Sequence, residues 1–411
     1  MASTDITLEA VPSIGEVSPE DWDACANPGK VCNGHGLGTS SGLPGDSLGP
    51  LKPAYNPFVS HAFLSAAEKS GSATIRTGWG PRHLVAKIGD RVAGVVPCYL
   101  KSHSQGEYVF DRGWADAYER AGGRYYPKLQ VSVPFTPATG PRLLVRDGVD
   151  HARITEALAS GLVALCGVSK ASSVHVTFAR EAEWKLLAQH GFLQRTDQQF
   201  HWRNEGFATF DDFLATLNSR HRKSIKRERR DALAAGITIH WLTGKDITED
   251  AWDAFFEFYM ETGSRKWGRP YLTREFFALI GETMSEDVLL VMARRNDRWI
   301  AGALNFVGAD TLYGRYWGTI DEVPFLHFEL CYYRAIEWAI DHGLASVQAG
   351  AQGEHKVARG YEPVVTKSAH FIPHRSFRDA VADFIETERA AIAAEAEWLR
   401  RDLPYRSSSS E

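Results

Sequence analysis

His83-Leu84-Val85-Ala86-Lys87-Ile88-Gly89-Asp90-Arg91-Val92-Ala93-Gly94-Val95-Val96-Pro97 has a counterpart later in the chain, Val288-Leu289-Leu290-Val291-Met292-Ala293-Arg294-Arg295-Asn296-Asp297-Arg298-Trp299-Ile300-Ala301-Gly302-Ala303-Leu304. Each reads as an apolar strand, a polar turn, Asp-Arg, one or two apolar residues, Ala-Gly and a second apolar strand, which is the pattern of a β-hairpin. The flanks match too. Helical signals near 57–69 precede the first hairpin, and others near 248–262 and 273–284 precede the second. A further strand, a helix near 150–166 or 327–342, and a strand near 173–178 or 345–349 follow. Shared flanks favour duplication over two unrelated hairpins. Strands mixed with helices predict an α/β (α+β) class. The expected organisation is a first unit at 1–205, a second at 206–375, and a C-terminal helix with a disordered tail at 376–411.

The 411 residues, 44% hydrophobic and 24% charged, describe a globular chain with enough apolar surface for two or three cores. A net charge of -5 argues against general nucleic-acid binding, while leaving room for local anion sites. Five cysteines, Cys25, Cys32, Cys98, Cys166 and Cys331, lie mostly in apolar runs and read as structural thiols of a reducing compartment. No metal site is expected from them. Residues 1–10 lack an apolar signal core, and no run is long enough to span a bilayer, so a cytoplasmic protein is predicted. Residues 26–57, rich in Gly, Pro, Ser and Asn, read as an irregular insertion; with no Gly-Lys-Ser/Thr at its end, it is a poor phosphate cradle.

Between the repeats, Thr209 and Asp212 form a capping box that starts a helix expected to run to Gly236. Residues 220–230 read Arg-His-Arg-Lys-Ser-Ile-Lys-Arg-Glu-Arg-Arg. At helical spacing Arg220, Lys223, Lys226, Arg227 and Arg230 share one face, and Leu214, Leu217, Ile225 and Ala232 the other. A solvated helix face normally mixes signs. One sign dominates here, which points to an anionic partner: a nucleotide-linked substrate, coenzyme A or a tRNA acceptor stem.

A further concentration of polar chemistry is Gly350-Ala351-Gln352-Gly353-Glu354-His355-Lys356-Val357-Ala358-Arg359-Gly360-Tyr361-Glu362-Pro363, set between two apolar stretches that read as strands. Buried without partners, such groups would cost a few kcal/mol each, so a loop at the end of a sheet is expected, whether solvated or functional. The first repeat contributes an aromatic stretch with few charges, from which Tyr108, Asp111, Trp114, Tyr126 and Lys128 are expected to line an acceptor cleft, with Phe110 and Phe135 in the core.

The order helix, helix, antiparallel hairpin, third strand Thr311–Gly318, helix His327–Ala339, strand, loop, final strand resembles the GNAT fold of acyl-CoA N-acyltransferases. Two such units in tandem, joined by the basic segment Ser219–Arg227, resemble the Fem-type aminoacyltransferases. The Gly314–Gly318 strand, His327-Phe328-Glu329 and the 350–363 segment are similar to the FemAB-like family. That resemblance spans about residues 55–375 and implies tandem GNAT-like domains with mainly antiparallel sheets, and transfer of an acyl or aminoacyl group to an amine of a peptidoglycan precursor or other small acceptor. Thr319–Leu326 departs from the GNAT pattern, having two acids and no glycine where amides would bind a pyrophosphate. No tightly bound cofactor is expected; the donor is aminoacyl-tRNA by resemblance, with acyl-CoA as the alternative.

Acyl transfer to an amine needs a proton acceptor, oxyanion donors and positioning. Glu354 and His355 are the leading acid/base candidates, followed by Glu329 and His327 near a helix start. Lys356 and Arg359 have the spacing to hold one carboxylate or phosphate, and Tyr361 joins them as a substrate contact. Strand alternation puts Arg315 and Trp317 on one face, with Tyr316 opposite. A non-catalytic module that binds a peptidoglycan-like or anionic ligand is the competing class.

Overall fold

The computed structural model describes residues 5–29, 55–234, 236–267, 270–350 and 353–406. Most of the Gly-rich insertion, including Cys32, and the Ser407–Ser410 tail lie outside them. Both hairpins form: His83–Ile88 pairs with Arg91–Val96, and Val288–Arg295 with Arg298–Val307. In the later one, Asn296 (φ 48°) and Asp297 (φ 60°) both take the left-handed conformation that a two-residue hairpin turn requires. Each hairpin gains an antiparallel neighbour, Ile6–Val11 or Thr238–Leu242. Neither of these two strands was expected.

The repeat extends to the crossover. Lys128–Val131 pairs in parallel with Val174–Val176, and Thr311–Thr319 in parallel with Ser346–Gln348, each pair being joined through a helix. The remaining pairings are antiparallel, which gives the mixed α/β architecture with mainly antiparallel sheets. Four strands of the first half form a small sheet; eleven strands from both halves form the large one.

The halves exchange their last strands. Leu193–Arg203 lies beside Ser346–Gln348, whereas Glu362–Phe371 lies beside Val174–Val176 of the first half. The two exchanged strands pair with each other over a long antiparallel ladder, from Glu362↔His201 to His370↔Leu193. The long helix Arg375–Arg401 packs on both, burying Phe377, Val381, Ile385, Ala396 and Leu399 at helical spacing.

The expected single helix from Thr209 is two. Phe210–Thr216 keeps the Thr209/Asp212 capping box, Leu217 is extended, and Asn218 caps a new helix, Ser219–Leu233, by accepting the His221 backbone N–H. Leu217 is held instead by an isolated bridge to Tyr405, and Asn218 donates its own N–H to Pro404 O. Phe110 corrects another expectation, being exposed, while Phe135 is buried as predicted. Cys25, Cys98 and Cys166 are buried thiols, pushed by burial to about 11, 12 and 11, and the described cysteines form no disulfide. No helix among the described residues is long and apolar enough to cross a membrane.

Gly318 decides how closely the helix Glu249–Trp267 approaches the third strand, because a Cβ there would lie 2.2 Å from the Phe258 carbonyl. Backbone cannot yield as a side-chain tip can. Gly318→Ala is expected to lower the urea midpoint, at a cost of about 1–3 kcal/mol. Gly167→Ala, in a helix with no neighbouring atom within 4 Å, should leave the midpoint unchanged or raise it.

Candidate functional site

Thr311–Thr319 and Ser346–Gln348 pair only from Thr311↔Ser346 to Tyr313↔Gln348, after which the strands part. Side chains from four elements converge on this opening. Trp317 comes from the departing strand, His327 and Phe328 from the start of the helix, Tyr332 from its next turn, and His355 from the 3-10 helix Glu354–Arg359. The His327 ring is 5.2 Å from Trp317 and 5.4 Å from Tyr332, and His355 is 5.5 Å from Phe328. The Tyr332 hydroxyl and His355 Nε2 are 3.0 Å apart. Burial pushes the Tyr332 phenol well up, so it keeps its proton near neutral pH. Gly353 is required at the turn, with φ 112° and a Cβ position only 2.4 Å from the His355 ring.

The helix opens this array by winding wide: Glu329–Tyr333 is a π-helical turn that buries Glu329, Leu330, Tyr332 and Tyr333 together. Glu329 is fully buried and shared between Arg229 (3.1 Å) and Arg334 (2.7 Å), with Glu337 completing the cluster at 3.0 and 2.8 Å. Its oxygens are therefore committed, which removes the expected role as base. Arg359 is likewise corrected. It is buried, donates to Glu228 Oε2 (2.8 Å), the Tyr333 hydroxyl (2.9 Å) and His355 O (2.7 Å), and lies 3.6 Å over the Phe328 ring. A guanidinium so placed holds the 3-10 helix rather than a ligand. Lys356 does not share an anion with it: the Lys356 ammonium points to Gly350 O (3.0 Å), and burial lowers it to about 8. Tyr361 is fully buried core, and the Glu354 side chain lies outside the described set.

The helix Ser219–Leu233 packs directly over this opening. Ile225, Glu228 and Ala232 face inward, while Arg220, Lys223, Lys226, Arg227 and Arg230 lie on the outer side, where Lys226 pairs with Asp211 (3.0 Å) and Arg230 with Asp231 (2.8 Å). Glu228, Tyr332 and Tyr333 were not anticipated. The signal for Glu228 was its being the lone acid in a run of cations.

Arg315 and Trp317 do not share a face. The pairing with Arg298–Val307 skips from Tyr316 to Gly314, a bulge at Arg315, so that Arg315 and Tyr316 both reach Phe135 O (2.6 and 2.8 Å). Among the first-half candidates, Asp111, Trp114 and Lys128 do not line a cleft. Lys128 is fully buried between Glu107 (2.7 Å) and Asp111, with Lys101 3.8 Å from Glu107, Tyr125 donating to Asp111 (2.6 Å), and Ser104 linking Lys128 to Tyr126. Trp114 meets the buried His370 ring edge-on and lies under Arg195. In the first half Arg142 is fully buried just past the strand Val174–Val176, its guanidinium bonded to Thr177 O and Ala138 O. A cleft of about 460 Å³ beside Asp23, Arg91 and Arg146 includes none of the candidate residues.

The Glu228–Arg359–His355 chain predicts a positioning effect. Glu228→Gln removes the charge that holds Arg359 and should lower the urea midpoint and loosen the 354–359 turn, seen as faster amide exchange of residues 355–360. Glu329→Gln, leaving two guanidinium groups without their shared carboxylate, should cost about 3–5 kcal/mol. Intact midpoints in both variants would contradict these assignments.

The solved structure of FemX is similar at 13% identity, covering 77% of this chain and 93% of that one, with a TM-score of 0.48. A tandem GNAT protein from the clavulanic acid biosynthesis pathway is similar at 11% identity, covering 90% and 98%, with a TM-score of 0.44. L-PGS from Bacillus licheniformis matches at 9% identity, covering 88% and 100%, with a TM-score of 0.47. Comparison with curated protein sequences gave no match. The family model described as peptidoglycan biosynthesis/recognition matches residues 13–407, nearly the whole length over which the two halves interlock, and the chain belongs to the FemAB-like family.

Proposed function

We propose that the protein is an N-acyltransferase that moves an acyl or aminoacyl group onto the amine of a peptidoglycan precursor or related small acceptor, at the opening between Thr311–Thr319 and Ser346–Gln348. The observation that carries this reading is the Tyr332–His355 pair at 3.0 Å, exposed on the His355 side and set where the sheet parts. In this reading the His355 imidazole, whose Nε2 is 3.0 Å from the Tyr332 hydroxyl, accepts the proton of the attacking amine. The Tyr332 O–H donates to the oxygen that gains charge. Lys356, lowered to about 8, places a cation at the opposite lip. His327 and Trp317 hold the reacting groups between rings.

The donor is proposed to be aminoacyl-tRNA, with acyl-CoA as the alternative reading. Two observations favour the first. The helix over the opening carries its basic residues on its outer side, and the turn before the helix at Leu326 has Asp321 tied to Arg295 rather than a glycine loop for a pyrophosphate.

Incubation of the protein with charged tRNA or acyl-CoA and an amine acceptor should consume donor. His355→Ala should lower kcat by about 10²–10⁴-fold with the fold intact, as expected for loss of a general base. Unchanged turnover would sink the assignment. For the donor, charge reversal at Arg220, Lys223 and Arg227 should weaken tRNA binding and reduce the slope of log K against log salt by about two to three. A slope equal to that of the unaltered protein would remove the basic face from the donor site.

A further inference from the structure

The pairing of the two strands stops before Trp317, and different groups pack on the two faces of the large sheet there. Trp317 and His327 belong to the face covered by the basic helix, whereas Tyr316 packs on the other face, 5.2 Å from Tyr259. The bulge turns Arg315 toward that other face, to the joint between the halves.

Three irregularities meet there. The strand skips a residue at Arg315. Tyr108, whose ring is 5.8 Å from the Arg315 guanidinium, has φ 61°, and Phe135, whose carbonyl accepts from Arg315, has φ 58°. A left-handed aromatic residue is strained, and such strain persists where surrounding structure fixes it, most often at functional sites. Phe135 is fixed by stacking on Tyr271, at 4.9 Å and 12°.

The group thus positioned is a cation without a counter-charge. Arg315 is partly exposed and makes no ion pair among the described residues; its Nε has no hydrogen-bond partner, and its NH2 spends one hydrogen on Phe135 O. Several other inward-facing charges are matched by acids, Arg359 by Glu228, Arg229 and Arg334 by Glu329, Lys128 by Glu107 and Asp111, while Arg142 and Lys356 donate to backbone carbonyls. An arginine presents five donors in a planar fork that fits a carboxylate.

We infer that Arg315 is the receptor for a carboxylate carried by the amine acceptor, which enters from the Tyr108–Tyr271 face while the donor lies on the basic-helix face. This rests on the proposed acyl transfer and narrows the acceptor to an amino acid or a peptide with an accessible carboxylate. One guanidinium, with no other cation described beside it, suits a monoanion better than a phosphate dianion.

The test is equilibrium binding to the full chain, so it does not depend on turnover. The probes are alanyl-alanine, its C-terminal amide, and the aminoethylphosphonate analogue. All three keep the amine. The carboxylate should bind at least about tenfold tighter than the amide, and Arg315→Gln should abolish that preference. Arg315→Lys, which keeps the charge and loses the fork, should leave part of it and serves if the first variant fails to fold. Equal binding of carboxylate and amide, no binding of either, or a preference that survives both substitutions overturns the inference, and a phosphonate tighter than the carboxylate overturns the choice of anion. Carboxylate-selective binding by a chain that transfers no acyl group would sink the proposed function and leave this site standing.

Discussion

The ladder between Leu193–Arg203 and Glu362–Phe371 is the constraint on which the rest depends. Each strand closes the sheet of the opposite half, so neither half can complete its own backbone hydrogen bonding alone. The consequence reaches the site. The strand facing Thr311–Thr319 across the opening, Ser346–Gln348, is backed by His201–Arg203 of the first half, and the Lys356 ammonium lies 5.7 Å over Phe200 on that same strand. Burial, with Arg203 and Lys356 nearby, holds the His201 imidazole down to about 4. The exchange therefore makes the first half part of the wall of the other half's site.

Buried charge then fixes the geometry. Glu228, Glu329, Lys128 and Asp111 are all removed from water, which would be ruinous for unpaired ions and is near neutral for well-matched ones. What these clusters add is direction. Glu228 and Arg359 join the basic helix to the carbonyl of His355, and Glu329 joins the same helix to the π-helical turn that carries Tyr332. The outer face of Ser219–Leu233 thus belongs to an element whose inner face is bonded to the turn that carries His355.

Local patterns were legible in the sequence, and long-range pairings were not. The hairpins could be read because their strands are continuous apolar runs separated by residues that accept positive φ. The edge strands Ile6–Val11 and Thr238–Leu242 are short and bury only Val11, so their brief apolar pattern is a weak signal. The break at Leu217 was hidden because its reason lies at Pro404 and Tyr405, far along the chain. In the candidate site, His327 lies beside both Trp317 and His355. Arg359 and Glu329 do not serve as ligand and base because their partners, Glu228, Arg229 and Arg334, come from another helix and from the next turn, and no sequence spacing reports that. Lys128 and Asp111 failed as cleft residues for the same reason: the apolar stretch around them had to bury charge that found matching charge within it.

The parallel pairs of the two halves end differently. In the first, the pairing goes on with Thr177 N–H donated to Val131 O, Arg142 adds a guanidinium satisfied by backbone carbonyls, and Glu183 accepts the Arg142 and Leu143 N–H groups at 2.7 Å. These bonds tie down the segment Val133–Leu143 that delivers Phe135 to Arg315. In the other half, the opening is lined with rings and imidazoles, and the bulge in its strand gives one lip to each face of the sheet. The two halves thus meet at one place, where one brings rings and imidazoles together and the other sets Phe135 against Arg315 and Tyr316.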